Sequence, residues 1–149
     1  MQKTMLIFLG FLTLFFTAGC GDKFKTYQVT GKVTYKGEPV AGAIVSFSPK
    51  VQGQGDGAFG RTDSYGVYKL QTRQGKPEGG TTPGEYIVMV SKTETVPTGR
   101  TSVGPGGAMI QEQKPVQVLP AEYGDPAKSP LSFTVEKKRN TFDIPIEGK

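Results

Sequence analysis

Catalysis needs a nucleophile with a base beside it, an acid–base pair or a cluster of metal ligands. This sequence is short of all three. It holds no histidine and a single cysteine. Without imidazole, a serine or cysteine nucleophile would have to take its base from a lysine, and no spacing marks a Ser–Lys pair. Paired carboxylates can cleave glycosides. Asp56, Asp63, Glu85 and Asp125 each stand beside a Gly, Pro or Ser, in the settings of turns and surfaces. Asp56 and Asp63 lack the ligand spacing of a calcium loop. Gly104-Pro105-Gly106-Gly107 is glycine-rich, but neither Gly-Lys-Ser/Thr nor a helical pattern follows it, so it does not read as a phosphate cradle. The expectation is a non-enzyme with no cofactor and no metal. A glycan or another small ligand would need exposed aromatic faces. There is no Trp, and of the six Tyr only Tyr65, in a turn, and Tyr123, in a loop, fall outside apparent inner faces.

The formal charge is +5, from 18 Lys and Arg against 13 Asp and Glu. The cations are dispersed among acids, and the densest group, Lys137-Lys138-Arg139, follows Glu136. That pattern is a solvated surface and not the basic stripe of a nucleic-acid binder.

The one cysteine lies where a different chemistry is available. Lys3 precedes an apolar run over residues 5–16, which is too short to span a bilayer, and Thr17-Ala18-Gly19 then lead into Cys20. A charged start, a short apolar core and small residues make a secretory signal peptide over residues 1–19. Thr17-Ala18-Gly19-Cys20 resembles the lipobox of bacterial lipoproteins, in which the cysteine sulfur receives a diacylglycerol and cleavage falls just before it. The resemblance implies lipidation at Cys20, a membrane partner through the N-terminal lipid and a place in the cell envelope, facing outside the cytoplasm. That family has Leu where Thr17 stands, and Thr17 and Gly19 also suit the general signal peptidase. Residues 20–26 read as a lipidated polar tether. Asp22 stands one place beyond the position at which an Asp retains some lipoproteins in the inner membrane, which points by analogy to the outer membrane.

The rest of the chain must position whatever the anchor carries. With 21 Gly and 11 Pro it is punctuated for turns, not helices. Alternation of period two from Tyr27 onward predicts seven strands near 27–35, 42–48, 58–63, 66–72, 84–92, 131–136 and 141–146. The run at 85–91 is continuous and is expected at the centre, covered on both faces. The last two strands, flanking Lys137-Lys138-Arg139-Asn140, read as a hairpin. Residues 93–114 carry four Gly and two Pro with little apolar patterning, and are expected as a flexible loop. The fold class is all-β, an antiparallel seven-stranded β-sandwich over residues 27–149.

Three motifs carry a further resemblance. Val29-Thr-Gly-Lys-Val to Pro39-Val-Ala-Gly-Ala-Ile-Val, Thr62-Asp63-Ser64-Tyr65-Gly66-Val67-Tyr68 and Pro83-Gly84-Glu85-Tyr86 are similar, in order, to the signatures of carboxypeptidase regulatory-like domains. Leu119-Pro-Ala-Glu-Tyr-Gly-Asp resembles the C-terminal part of small lipoproteins carrying that domain. The resemblance implies a transthyretin-like, or prealbumin-like, sandwich with a structural or partner-binding role toward an envelope protein or glycan. The same fold hosts a 5-hydroxyisourate hydrolase that depends on histidines and a C-terminal Tyr-Arg-Gly-Ser. This chain has no histidine and ends Pro145-Ile146-Glu147-Gly148-Lys149. The function expected is that of a non-catalytic, membrane-anchored envelope lipoprotein. The alternative is a carbohydrate or small-ligand binding module at the cell surface that uses Tyr65 and Tyr123.

Overall fold

A computed structural model describes residues 25–72 and 79–148. The signal peptide expected over residues 1–19, Cys20 and the start of the expected tether lie outside the described residues. The strands in chain order are β1 (Val29–Tyr35), β2 (Glu38–Pro39), β3 (Ile44–Pro49), β4 (Ala58–Arg61), β5 (Val67–Lys69), β6 (Gln71–Thr72), β7 (Gly84–Ser91), β8 (Thr93–Val103), β9 (Met109–Gln117), β10 (Ser132–Val135), β11 (Asn140–Thr141) and β12 (Ile144–Ile146). The described residues form an all-β fold of mainly antiparallel pairing, a β-sandwich, with a short 3₁₀ turn at Ala121–Gly124 as its main helical piece.

One sheet is built around β1, with β2 and β5 antiparallel on one edge and β11 and β12 on the other. The C-terminal strands run parallel to β1, a departure from a wholly antiparallel sheet. The other sheet has the order β10-β7-β3-β4-β6. The chain from Val67 to Thr72 belongs to both sheets: β5 pairs with β1, β6 pairs with β4, and the crossing falls at buried Leu70. Strands that change sheets at a bend make the corners of such sandwiches.

Alternation decides which side chains enter the core. Val29 and Val33 of β1, Val45 and Phe47 of β3, and Tyr86, Val88 and Val90 of β7 are buried between the sheets. Ile44, out of phase with them, is exposed. Phe133 sits opposite Tyr86 in register and so points to the same side. At Gly31 any Cβ would collide with the Phe142 backbone and approach the Tyr68 ring. The missing side chain lets Tyr68 cross β1 and donate its hydroxyl hydrogen bond to the Phe142 carbonyl at 2.8 Å. Between β1 and β2, Lys36 (φ 52°) and Gly37 (φ 85°) make a two-residue turn with both central residues left-handed, the geometry that suits the twist of a hairpin.

Three expectations are corrected. Residues 93–114 are not an irregular loop. Apart from the turn at 104–108 they are strand, and β8 pairs with β9 in a long hairpin. One face of that ribbon carries Glu94, Val96, Lys114 and Val116 and the other Thr93, Thr95, Pro97, Gln113, Pro115 and Gln117, so neither is the continuous apolar face that marks a strand in sequence. It is no part of the core, however: nearly all its residues are exposed. Second, β10 and the C-terminal strands do not pair as a hairpin. β10 joins β7 and β11–β12 join β1, so the turn at 136–139 carries the chain from one sheet to the other. This separation lets the half-buried rings of Phe133 and Phe142 stack against each other across the two sheets. Third, β7 is central, between β10 and β3, but Ile87 and Met89 on its second face are only half-buried.

Candidate functional site

The order of the strands sets two ends. β1 runs from Tyr27 to Tyr35. At its start lie the loop 50–57, Thr81–Gly84 and the turn 136–139, because Tyr27 bridges Thr81, Lys50 bonds Glu85 and Asn140 pairs with Val29. This is the end that the expected tether would enter, and it is called the tether end. At the far end lie the turn 36–37, the turn 63–66, Ser91 at the end of β7, and the segment 119–129.

A cleft of about 710 Å³ opens at the tether end, between Lys25, Tyr27, Val51, Gln54, Thr82 and Lys137. Thr82 and Gly55 of its lining belong to a closed polar network. The Tyr86 hydroxyl donates to the Thr82 carbonyl at 2.9 Å and lies 2.8 Å from the Thr82 hydroxyl and 3.0 Å from that of Thr81. Thr81 in turn donates to the Asp56 carbonyl at 2.7 Å, and the Asp56 amide donates to Thr82 Oγ1 at 3.2 Å. Gly55 (φ 136°) lets its loop approach so closely, since a Cβ there would lie 2.7 Å from both Tyr86 Oη and Thr82 Oγ1. Every hydroxyl has a partner, so the network pins the 50–57 loop and offers no activated nucleophile. A second cleft, about 680 Å³, lies on the outer face of β3 and β4 between Ile44, Phe59, Met89 and Pro49. It contains no ionisable side chain.

The carboxylates singled out in the sequence do not converge. Asp63 Oδ1 accepts from the Tyr65 and Val67 amides, both at 2.9 Å, and so builds the turn. Asp125 Oδ1 does the same for Ala127 at 2.9 Å, and its other oxygen meets Lys128. Glu85 pairs with Lys50 at 3.2 Å, and Asp56 takes part through its backbone. Among the described residues no three Asp, Glu, Cys or His gather as metal ligands. Tyr65 is 74% exposed, whereas Tyr123 is half-buried against the core. Both lie at the far end, but no ring contact joins them. Among the described residues, Tyr68 is the one titratable group with a strongly moved pKa. Burial, helped by the nearby Asp143 charge, pushes its phenol well above the ordinary range, which keeps it a neutral donor to Phe142.

The feature that sequence patterning missed is the β8–β9 hairpin. It follows β7 after Lys92 alone, at the far end, and Val118 returns to bond the Lys92 carbonyl at 2.9 Å. Val103 and Met109, paired across its tip, are 71% and 73% exposed, and Ile110 is also exposed. Residues 101–111 carry no charge. The sequence signal for it was that uncharged stretch with Val, Met and Ile around a glycine turn.

These residues define an all-β sandwich module with an arm at one end and a basic-rimmed cleft at the other. No family model matches the chain, and no curated protein matches it. Among solved structures it is similar to a candidate carbohydrate-binding protein from Pseudomonas aeruginosa, at 10% identity and a TM-score of 0.40 over 87% of this chain and 92% of that one. It is also similar to a chlorocatechol 1,2-dioxygenase from Pseudomonas putida, at 17% identity and a TM-score of 0.37 over 85% of this chain and 61% of that one. A 9R-lipoxygenase from Cyanothece gives 13% identity and a TM-score of 0.35 over 82% of this chain, which spans 17% of that enzyme. No activity follows from likenesses of this size.

Proposed function

We propose that this chain is a non-catalytic lipoprotein of the bacterial cell envelope, acylated at Cys20, whose carboxypeptidase regulatory-like sandwich presents the β8–β9 hairpin to a partner protein. The observation that carries the reading is the placement of the two ends. The chain enters the sandwich at Tyr27, and the hairpin leaves from the opposite end, about 25 Å away along the strands. The hairpin itself adds about 30 Å of reach. A tip with exposed Val103, Met109 and Ile110 and no charge is costly to leave in water and suits burial in a partner. The absence of histidine and the engagement of Asp63, Asp125 and Glu85 in turns and ion pairs support the non-catalytic part. The carbohydrate-module reading has less support, because Tyr123 packs on the core and leaves Tyr65 without a companion ring.

The test has two parts. Mass spectrometry of the mature N-terminal peptide should find Cys20 acylated, and Cys20→Ser should block acylation. A photo-crosslinker at Met109 should capture one envelope protein that a crosslinker at Phe59, on the flank of the sandwich, does not. A free thiol on Cys20 overturns the anchor. Identical capture from both positions overturns the arm.

A further inference from the structure

The tether end is also the basic end. Among the described residues it exposes Lys25, Lys50, Lys137, Lys138 and Arg139, against Asp56, Glu85 and Glu136. Two of those acids are taken: Glu85 by Lys50 at 3.2 Å and Glu136 by Lys138 at 2.7 Å. Lys25, Lys137 and Arg139 have no carboxylate partner among the described residues. The far end has the opposite balance, with four cations against six carboxylates over residues 36–38, 61–63, 92–94, 122–128 and 147. The domain is therefore electrically polar along the axis that joins tether to hairpin.

The basic turn is held in shape from within. Asn140 is buried, accepts from the Glu136 amide at 3.0 Å, and donates to the Glu136 and Lys138 carbonyls at 3.1 and 2.6 Å. Lys137-Lys138-Arg139 is thus presented outward on a fixed loop, and Lys137 shares the cleft rim with Lys25. Lys25 lies five positions after Cys20, with four residues between them, a reach of at most about 18 Å when extended. An acyl chain on Cys20 therefore brings this end, and not the other, to the bilayer surface.

We propose that the tether end is a docking surface for the anionic phospholipid headgroups of the membrane that holds the anchor, with Lys25, Lys137 and Arg139 meeting their phosphates. The inference rests on the acylation of Cys20. Its effect is orientation. Lipid chains alone leave a domain free to tumble on its tether, whereas cations at one end and acids at the other set it upright. The hairpin then points away from the bilayer.

The acylated protein is reconstituted in vesicles of phosphatidylcholine alone, and in vesicles with about a third phosphatidylglycerol. Trypsin cleavage after Lys138 and Arg139 is followed by mass spectrometry, with Lys128, at the far end, as the reference site. Cleavage in the basic turn should be slowed at least about fivefold by phosphatidylglycerol, with Lys128 unaffected. The protection should vanish at about 0.5 M NaCl, where charges are screened within a few ångströms. The K25Q/K137Q variant, altered only at exposed positions, should lose most of it. Equal cleavage on both vesicles, or equal slowing at Lys128, overturns the proposal. Failure of the anchor reads differently, as protein that does not float with phosphatidylcholine vesicles. Flotation with phosphatidylglycerol vesicles at low salt then decides for the surface alone, and its absence overturns the proposal.

Discussion

The rings of Phe133 and Phe142 lie 4.6 Å apart and within 10° of parallel, although Phe133 belongs to the sheet of β7 and Phe142 links the two strands that pair with β1. Phe47 completes the group at 6.2 and 6.3 Å. The stack closes one side of the sandwich just beyond the turn that bears the basic residues. Phe142→Ala should cost about 2–4 kcal/mol in a denaturant titration. A cycle with Phe133→Ala should leave a coupling of about 0.5–1.5 kcal/mol. Strict additivity would mean that the stack is incidental to stability.

Val88 is fully buried in β7, between β3 and β10. Val88→Ala should cost roughly 1–3 kcal/mol as a small cavity, read from the same titration. A negligible loss would show that the core is centred elsewhere.

Tyr86→Phe removes the hydroxyl that sits among Thr81, Thr82 and the Thr82 carbonyl. The threonine groups stay buried with fewer partners, so a loss of about 1–3 kcal/mol is expected. Amide hydrogen exchange should also speed in the 50–57 loop, which the network pins. Unchanged exchange would show that the loop is held by other contacts.

Tyr68 ties stability to alkaline pH. Its folded phenol is pushed above the ordinary value of 10.0 by burial first and by Asp143 second. The unfolded state therefore loses the proton first as pH rises. The advantage of the folded state is complete below about pH 10 and shrinks as pH climbs through that value toward the folded pKa. Melting temperature should fall more steeply above pH 10 in the wild type than in Tyr68→Phe. Parallel slopes would show that Tyr68 ionises as freely in the folded chain as in the unfolded one.

The hairpin should be dispensable for folding. Replacing residues 98–112 by a short turn should shift stability by no more than about 0.5 kcal/mol, because its side chains are solvated. A large drop in melting temperature would show that it packs on the sandwich.

Strands with one buried face were legible in the sequence. Val29 and Val33, Val45 and Phe47, and Tyr86, Val88 and Val90 announce themselves by alternation, since a pleated strand gives every second side chain to the core. The turns at Gly37 and at Asp63–Gly66 were legible because glycine and aspartate meet specific backbone demands there. The absence of histidine, and a lone cysteine after a short apolar run, also restricted the chemistry before any fold was known. Partner choice was not legible. Phe133 and Phe142 alternate like the two arms of a hairpin, yet their segments join different sheets and the half-buried rings stack across them. The β8–β9 ribbon was hidden because solvent bathes both its faces, so no hydrophobic period records it. Strand pairing there is settled by backbone hydrogen bonds, which leave little trace in residue type. The same holds for the gathering of Lys25 with Lys137 at one end, and for the spacing of that end from the hairpin. Residues more than a hundred positions apart become neighbours only once β1 lies beside the C-terminal strands.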